Sequence, residues 1–121
     1  MSDKKVKELS FAFALRIVKL CRFLEQEQKE YVLSKQLLKS GTAIGALVRE
    51  AEHAESRADF IHKMAIALKE ANETLYWIEL IYQSQLLDQK GFESINPDIV
   101  ELLKLLTSIV KSSKKNRVDS N

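Results

Sequence analysis

Apolar side chains recur every three or four residues over most of the chain, the spacing that places them on one face of an α-helix. In the first such stretch, the apolar stripe consists of Val6, Leu9, Phe13, Ile17, Leu20 and Leu24. Polar stretches interrupt the pattern, and the segments between them predict helices over about residues 3–26, 34–54, 57–87 and 97–115. Because the connections are short, neighbouring helices must run antiparallel. The sequence therefore predicts an all-α, up-down-up-down four-helix bundle, as a single domain over residues 1–121.

Capping residues mark the predicted starts of the last three helices. Ser34 is the predicted N-cap of the second helix. Ser56 is the predicted N-cap of the third, with Asp59 at the third helical position as an acidic variant of the capping box. Asn96 is expected to cap the fourth helix, with Pro97 in its first turn, where the missing N–H has no consequence.

Two glycines interrupt the second predicted helix. Gly41 and Gly45 each cost about 1 kcal/mol relative to alanine in a helix interior, so a compensating interaction is expected. Together with Ser40, Ala43 and Ala46 they make this helix thin, and the sequence predicts close helix packing at the two glycines. A phosphate-binding loop is excluded, because the glycines are not followed by the Lys and Ser or Thr of such a loop.

The first helix carries a second apolar patch, away from its core stripe. Phe11, Leu15 and Val18 follow one another at intervals of four and three residues, so they share a face roughly opposite the core. A group of apolar side chains on an outward face indicates a surface that another subunit covers. The sequence therefore predicts a homo-oligomer with these three residues in its interface.

Composition and charge narrow the class of protein. Three Gly and one Pro among 121 residues are too few for the turns of a multi-strand β protein. Cys21 is the only cysteine, so no intrachain disulfide forms, which is typical of a reducing compartment. No targeting segment or membrane span is recognised, so a cytoplasmic location without membrane association is expected. The net charge is only +2, so any affinity for nucleic acid depends on how the charges are arranged.

Basic residues on the polar face of the first helix form the candidate nucleic-acid-binding site. They are Lys5, Arg16, Lys19 and Arg22. Repeated around a ring of subunits, they would create a positive surface that releases counterions from bound phosphates. A solvated helix face explains the same pattern, and Glu8 reduces the local charge. The same two interpretations apply to the basic residues late in the fourth helix, Lys111, Lys114, Lys115 and Arg117.

Two carboxylate–histidine pairs, Glu50 with His53 and Asp59 with His62, have the spacing found in di-iron bundles. Both pairs adjoin the same turn, His53 lies off the core face, and the first and fourth helices show no inward carboxylate to complete such a site. Cys21 has no expected base beside it. The sequence therefore predicts no catalytic residue, metal ligand, cofactor or small-molecule substrate, and no enzymatic activity.

The second and third helices carry the motifs of a known family. The motifs are SKQLLKSGTAIGALVREA at residues 34–51, SRADFIHK at 56–63 and IALKEANETLYW at 66–77. With these motifs, the chain resembles the four-helix-bundle proteins encoded within 23S rRNA intervening sequences, over roughly residues 9–85. Ala43 stands where the family usually has Ser, and Leu47 where it usually has Asn, so two polar groups of the second-helix motif are absent.

The resemblance implies an antiparallel four-helix bundle, commonly a homopentamer, with no established enzymatic activity. A distantly related family assists the reverse transcriptases of diversity-generating retroelements and binds nucleic acid, so by analogy the resemblance implies RNA or DNA as a partner. The leading hypothesis is a non-enzymatic, homo-oligomeric helical bundle that acts as an RNA- or DNA-associated accessory protein. The alternative is a scaffold or adaptor that binds another protein and has no nucleic-acid role.

Overall fold

In a computed structural model, residues 2–119 are described, with side chains for residues 3–116. The described chain forms α1 (Ser2–Gln26), α2 (Val32–Glu52), α3 (Arg57–Gln83) and α4 (Gln89–Asp119). Residues 1, 120 and 121, and the side chain of the candidate residue Arg117, lie outside this description. None of the described helices is long and apolar enough to cross a membrane.

Each helix packs against two others, so the four helices form a closed ring. α2 lies between α1 and α3, α3 lies between α2 and α4, and α1 contacts α4 to close the ring. The short turns reverse the chain direction at each corner. The prediction of an all-α, up-down-up-down four-helix bundle is therefore confirmed. The largest fully buried side chains are those of Phe13, Ile17, Leu24, Leu37, Ile44, Met64, Ile78, Ile81, Ile99, Leu102, Leu106 and Val6.

α2 begins at Val32, and the prediction that Ser34 is its N-cap is wrong. The carboxylate of Glu30 accepts a hydrogen bond from the backbone N–H of Leu33 at 2.7 Å, which satisfies a donor in the first turn. The Ser34 side chain is fully buried instead, with its Oγ 3.3 Å from the carbonyl oxygen of Cys21 on α1. The hydroxyl is thus a link between two helices, a role that the local pattern does not reveal.

α3 begins where the sequence predicts, with Ser56 as its N-cap. The Ser56 hydroxyl accepts a hydrogen bond from the Asp59 N–H at 3.0 Å, and the Ser56 backbone is extended. The Asp59 carboxylate in turn accepts a hydrogen bond from the Glu55 N–H at 3.2 Å. This capping prediction is confirmed, because both partners of the cap are close in sequence.

The turn between α3 and α4 lies earlier than predicted. α3 ends at Gln83 rather than at residue 87, and Gln85 adopts a positive φ of 67° in the turn. Asp88 then caps α4, since its Oδ1 accepts a hydrogen bond from the Gly91 N–H at 2.7 Å. The predicted start of the fourth helix at residue 97 is therefore wrong, and the helix also continues past residue 115.

Asn96 and Pro97 lie inside α4, so the prediction that Asn96 caps the helix is also wrong. A proline in a helix interior removes one backbone hydrogen bond and crowds the preceding turn, at a cost of about 3 kcal/mol. Tertiary contacts offset this cost. Ile95 is buried in the core, and the Phe92 ring stacks on Tyr82 of α3 with a centroid separation of 4.1 Å. These contacts hold the segment before the proline in helical form.

The backbones of α1 and α2 approach closely at the two glycines of α2. A Cβ atom built on Gly41 would lie 2.9 Å from both Cγ atoms of the buried Ile17. A Cβ atom built on Gly45 would lie 3.3 Å from the carbonyl oxygen of Ser10. Both separations are tighter than ordinary van der Waals contact, so a side chain at either position would press directly on α1.

Candidate functional site

The outward surface of α1 exposes most of the predicted apolar patch. Phe11 is 49% exposed and Leu15 is 53% exposed, whereas Val18 is partly buried. The Arg49 guanidinium of α2 lies 5.0 Å from the centroid of the Phe11 ring, a cation–π arrangement. Leu38, also on α2, is exposed as well. The described part of the chain thus leaves large apolar side chains on the α1 and α2 surfaces uncovered.

Arg16, one of the predicted nucleic-acid-binding cations, binds α4. Its Nη1 donates to Asp98 Oδ2 at 2.6 Å and to the Ser94 carbonyl oxygen at 2.9 Å. Its Nη2 donates to Ser94 Oγ at 2.5 Å. Hydrogen bonds from a guanidinium to several acceptors orient both partners. Arg16 therefore ties α1 to α4, and its charge is compensated within the chain.

Lys5 is also close to a carboxylate of α4. Its Nζ lies 3.5 Å from Glu101 Oε2, and the two side chains are 60% and 46% exposed. An exposed pair of this kind contributes at most about 1 kcal/mol to stability. The carboxylate nevertheless reduces the positive potential around Lys5.

Lys19 and Arg22 are exposed and form no ion pair with the side chains described for residues 3–116. Arg22 follows Val18 by four residues, so it lies on the same face as the apolar patch. The structure therefore does not bring the four predicted cations together as one uncompensated stripe. Two of them face carboxylates of α4, and Arg22 adjoins the candidate interface.

The carboxylates of the two carboxylate–histidine pairs are engaged in other contacts. Glu50 Oε1 accepts a hydrogen bond from Lys63 Nζ at 3.1 Å, and this hydrogen bond raises the pKa of Lys63. The carboxylate of Asp59 serves the α3 cap, and His53 and His62 are exposed. Within the described residues, no group of three or more His, Cys, Asp or Glu side chains could hold a metal ion.

A further ion pair joins α1 to the end of α2. Lys7 Nζ lies 2.7 Å from Glu52 Oε2, and both side chains are more than two-fifths exposed. The hydrogen bond from Lys7 is the main reason why the pKa of Glu52 is lowered. Because the pair is solvated, it orders the two helix ends and contributes little to stability.

Cys21 lies between α1 and α2 and is poorly placed to act as a nucleophile. The residue is 3% exposed, and its Sγ lies 3.4 Å from the Ser34 carbonyl oxygen. The pKa of the thiol is raised from 9.0 to about 11, chiefly by burial. A hydrogen bond with the Ser34 side chain opposes this rise, and the Glu25 carboxylate adds to it. A thiol must lose its proton to attack, so the Cys21 thiol is a poor nucleophile at neutral pH.

We therefore expect Cys21 to react slowly with the thiol reagent DTNB in the folded protein. At pH 8, raising the thiol pKa from 9.0 to about 11 reduces the thiolate population by roughly 100-fold. Burial slows the reaction further, so the labelling rate should rise by at least roughly 100-fold when guanidinium unfolds the chain. Absorbance at pH 8 measures both rates. Equal rates in the folded and unfolded protein would contradict this environment for the thiol.

Lys104 is not among the cations that the sequence predicts for a nucleic-acid site. In the structure, this residue lines a groove between α3 and α4 together with Lys111 and Lys115. The signal that could have found it is the spacing of the three lysines, since intervals of seven and four residues place them on one face of a helix. The relation of that face to α3 is visible only in the folded chain.

Comparison with known proteins finds relatives over most of the chain. Residues 2–108 match the family described as 23S rRNA-intervening sequence protein. The chain is similar to a crystal structure from Bacteroides thetaiotaomicron, of a protein with unknown function from the S23 ribosomal protein family, with 58% identity and a TM-score of 0.90. The similarity covers 92% of this chain and 99% of that chain. A search among curated proteins gives no match.

Proposed function

The chain belongs to the 23S rRNA-intervening sequence protein family, and on that premise we propose that it is a non-enzymatic, self-associating bundle that binds RNA or DNA as an accessory protein. The observation that carries the proposal is the outward surface of α1, where exposed apolar side chains lie beside cations that have no carboxylate partner among the described residues. Such a surface is typical of a subunit interface that is bordered by positively charged side chains.

Self-association is supported by the exposure of Phe11 and Leu15. Covering a large apolar side chain fully contributes roughly 1.5–3 kcal/mol relative to leaving it in water. About half of each of these side chains is still exposed in the single chain, so a partner surface gains from covering them. A closed ring of five copies, the assembly that the resemblance implies, would cover the same face on every copy.

Nucleic-acid binding is supported by the distribution of charge rather than by its sum. Lys5 and Arg16 face Glu101 and Asp98 of α4, so these two carboxylates are partly compensated by cations of α1. Residues 102–118 then contain five basic side chains and no acidic one. In an oligomer this excess is repeated in every copy, and each neutralised phosphate releases counterions.

The absence of an enzymatic role belongs to the same proposal. The buried thiol of Cys21 keeps its proton, and the carboxylates of Glu50 and Asp59 are occupied by a lysine and by a helix cap. We propose a cytoplasmic location, where a lone buried thiol stays reduced. We propose neither a cofactor nor a small-molecule substrate.

A second candidate function, a scaffold or adaptor that binds another protein, is favoured by one observation. At the turn between α1 and α2, Tyr31 is 51% exposed and Val32 is 72% exposed. Phe23, near the end of α1, is also exposed. These side chains lie away from Phe11 and Leu15 along the bundle, so they would remain available to a different partner after self-association.

Fluorescence anisotropy with a labelled structured RNA and a labelled DNA duplex tests the proposed binding. At about 50 mM salt we expect binding that depends little on sequence, because phosphate contacts carry no base information. The affinity should fall steeply with added salt. Three phosphate contacts per chain would give a slope of roughly −2.7 in log affinity against log salt for each bound chain.

The same samples, run through size-exclusion chromatography with light scattering, report the number of chains in the particle. A single chain at micromolar concentration would contradict self-association. If the oligomer binds neither probe at about 50 mM salt, where electrostatic binding is strongest, the nucleic-acid role is wrong and the scaffold function takes its place.

A further inference from the structure

The groove between α3 and α4 is lined by cations on a part of the surface that is separate from the apolar patch of α1. Lys104, Lys111 and Lys115 extend along it from α4, and the partly buried Leu68 and Leu103 contribute apolar surface. The groove has a volume of about 770 Å³. Among the described residues, none that lines the groove is acidic, so this part of the surface presents one sign of charge to a ligand.

The three lysines form a row along the helix axis. Lys111 follows Lys104 by seven residues and Lys115 follows Lys111 by four, so all three lie on the outward face of α4. At 1.5 Å per residue the row is about 16 Å long. One strand of a duplex places about five phosphates over that length, at 3.4 Å each. The exposed, flexible lysine side chains can adjust to a repeating row of anions.

α4 separates its charges by face. Asp98 and Glu101 lie towards α1, where they contact Arg16 at 2.6 Å and Lys5 at 3.5 Å. These carboxylates are therefore compensated by α1. The lysine row keeps its positive potential over residues 104–115, because Asp98 and Glu101 are directed to a different neighbour.

Hydroxyl groups lie among the lysines. Thr107, Ser108 and Ser112 also line the groove. Hydroxyl and ammonium donors are among the groups that proteins use to contact phosphate and sugar oxygens. We infer that this groove binds the phosphodiester backbone of a nucleic acid, with the lysine row contacting phosphates along one strand. The inference rests on the proposed nucleic-acid function and assigns its binding surface to α3 and α4.

Two triple variants that lose the same charge test this assignment. The groove variant carries Lys104→Gln, Lys111→Gln and Lys115→Gln. The control variant carries Lys29→Gln, Lys35→Gln and Lys39→Gln, which remove three exposed cations from α2 and the turn before it. We expect the groove variant to bind labelled RNA roughly tenfold or more weakly at about 50 mM salt, with a salt slope smaller by roughly 2.7 per chain. The control variant should stay within about threefold of the parent.

Arginine at the three groove positions keeps the charge, so this second variant should bind about as tightly as the parent. Equal losses in the groove and control variants would show that total charge, not the groove, determines affinity; this result would overturn the inference and leave the proposed function standing. A loss confined to the control variant would do the same. If the parent protein binds no RNA, both the groove inference and the proposed nucleic-acid function are wrong. A labelled poly-glutamate peptide that binds as tightly as RNA would assign the groove to acidic proteins instead.

Discussion

Replacing Gly41 with leucine should lower the free energy of unfolding by about 3 kcal/mol, the upper end of the usual cost of overpacking a core. Even the first carbon of a new side chain would lie 2.9 Å from the Cγ atoms of Ile17. Ile17 is fully buried, so its branched side chain has little room to turn aside. Urea unfolding, followed by circular dichroism at a fixed protein concentration, measures the change.

Substitutions at Gly45 should also lower the free energy of unfolding, by amounts that depend on the size of the new side chain. Gly45→Leu should also destabilise the bundle, by about 1–3 kcal/mol, because the nearest atom is a backbone carbonyl oxygen that cannot rotate away. Gly45→Ala should be far milder, since a gain of about 1 kcal/mol in helix propensity offsets the 3.3 Å contact with Ser10. Gly41→Ala should fall between Gly45→Ala and Gly41→Leu.

Ala46→Leu is the matched control for this series, because it adds a leucine to an exposed position on the same helix. We expect it to change the free energy of unfolding by less than about 0.5 kcal/mol. If Gly41→Leu and Ala46→Leu unfold at the same urea concentration, then close approach of α1 and α2 does not explain the glycines.

Replacing Leu15 with glutamate should separate the proposed oligomer into single folded chains. A carboxylate buried without a partner at an interface costs about 3–5 kcal/mol, which weakens association by roughly two to four orders of magnitude. The single chain should tolerate the change. Leu15 is 53% exposed there, and a glutamate four residues before Lys19 has a favourable spacing on a helix. Light scattering at micromolar concentration measures the mass, and circular dichroism measures the helix content.

Val32→Glu is the control for this prediction. Val32 is also apolar and is 72% exposed, but it lies in the first turn of α2, where a carboxylate interacts favourably with the helix dipole. The oligomer should survive this change. If Leu15→Glu leaves the mass unchanged, or if both variants dissociate equally, the apolar patch of α1 is not the interface.

The helical fold class and most of the core could be predicted from the sequence, because both depend on a spacing that is local. Val6, Phe13, Ile17 and Leu24 were predicted to share one face of the first helix, and all four are buried. The α3 cap was predictable for the same reason, since Ser56 and the N–H that it receives are three residues apart.

The sequence could not show which cations have a carboxylate partner or where the last helix begins, because both depend on contacts between helices. Arg16 and Asp98 are 82 residues apart, so no local pattern shows that α4 compensates this cation. Pro97 signals a helix start locally, but burial of Ile95 and stacking of Phe92 extend α4 back past it. The spacing of apolar residues shows which face of a helix points inward. The residue that a side chain contacts depends instead on which helices pack together, and this packing forms only when the chain folds.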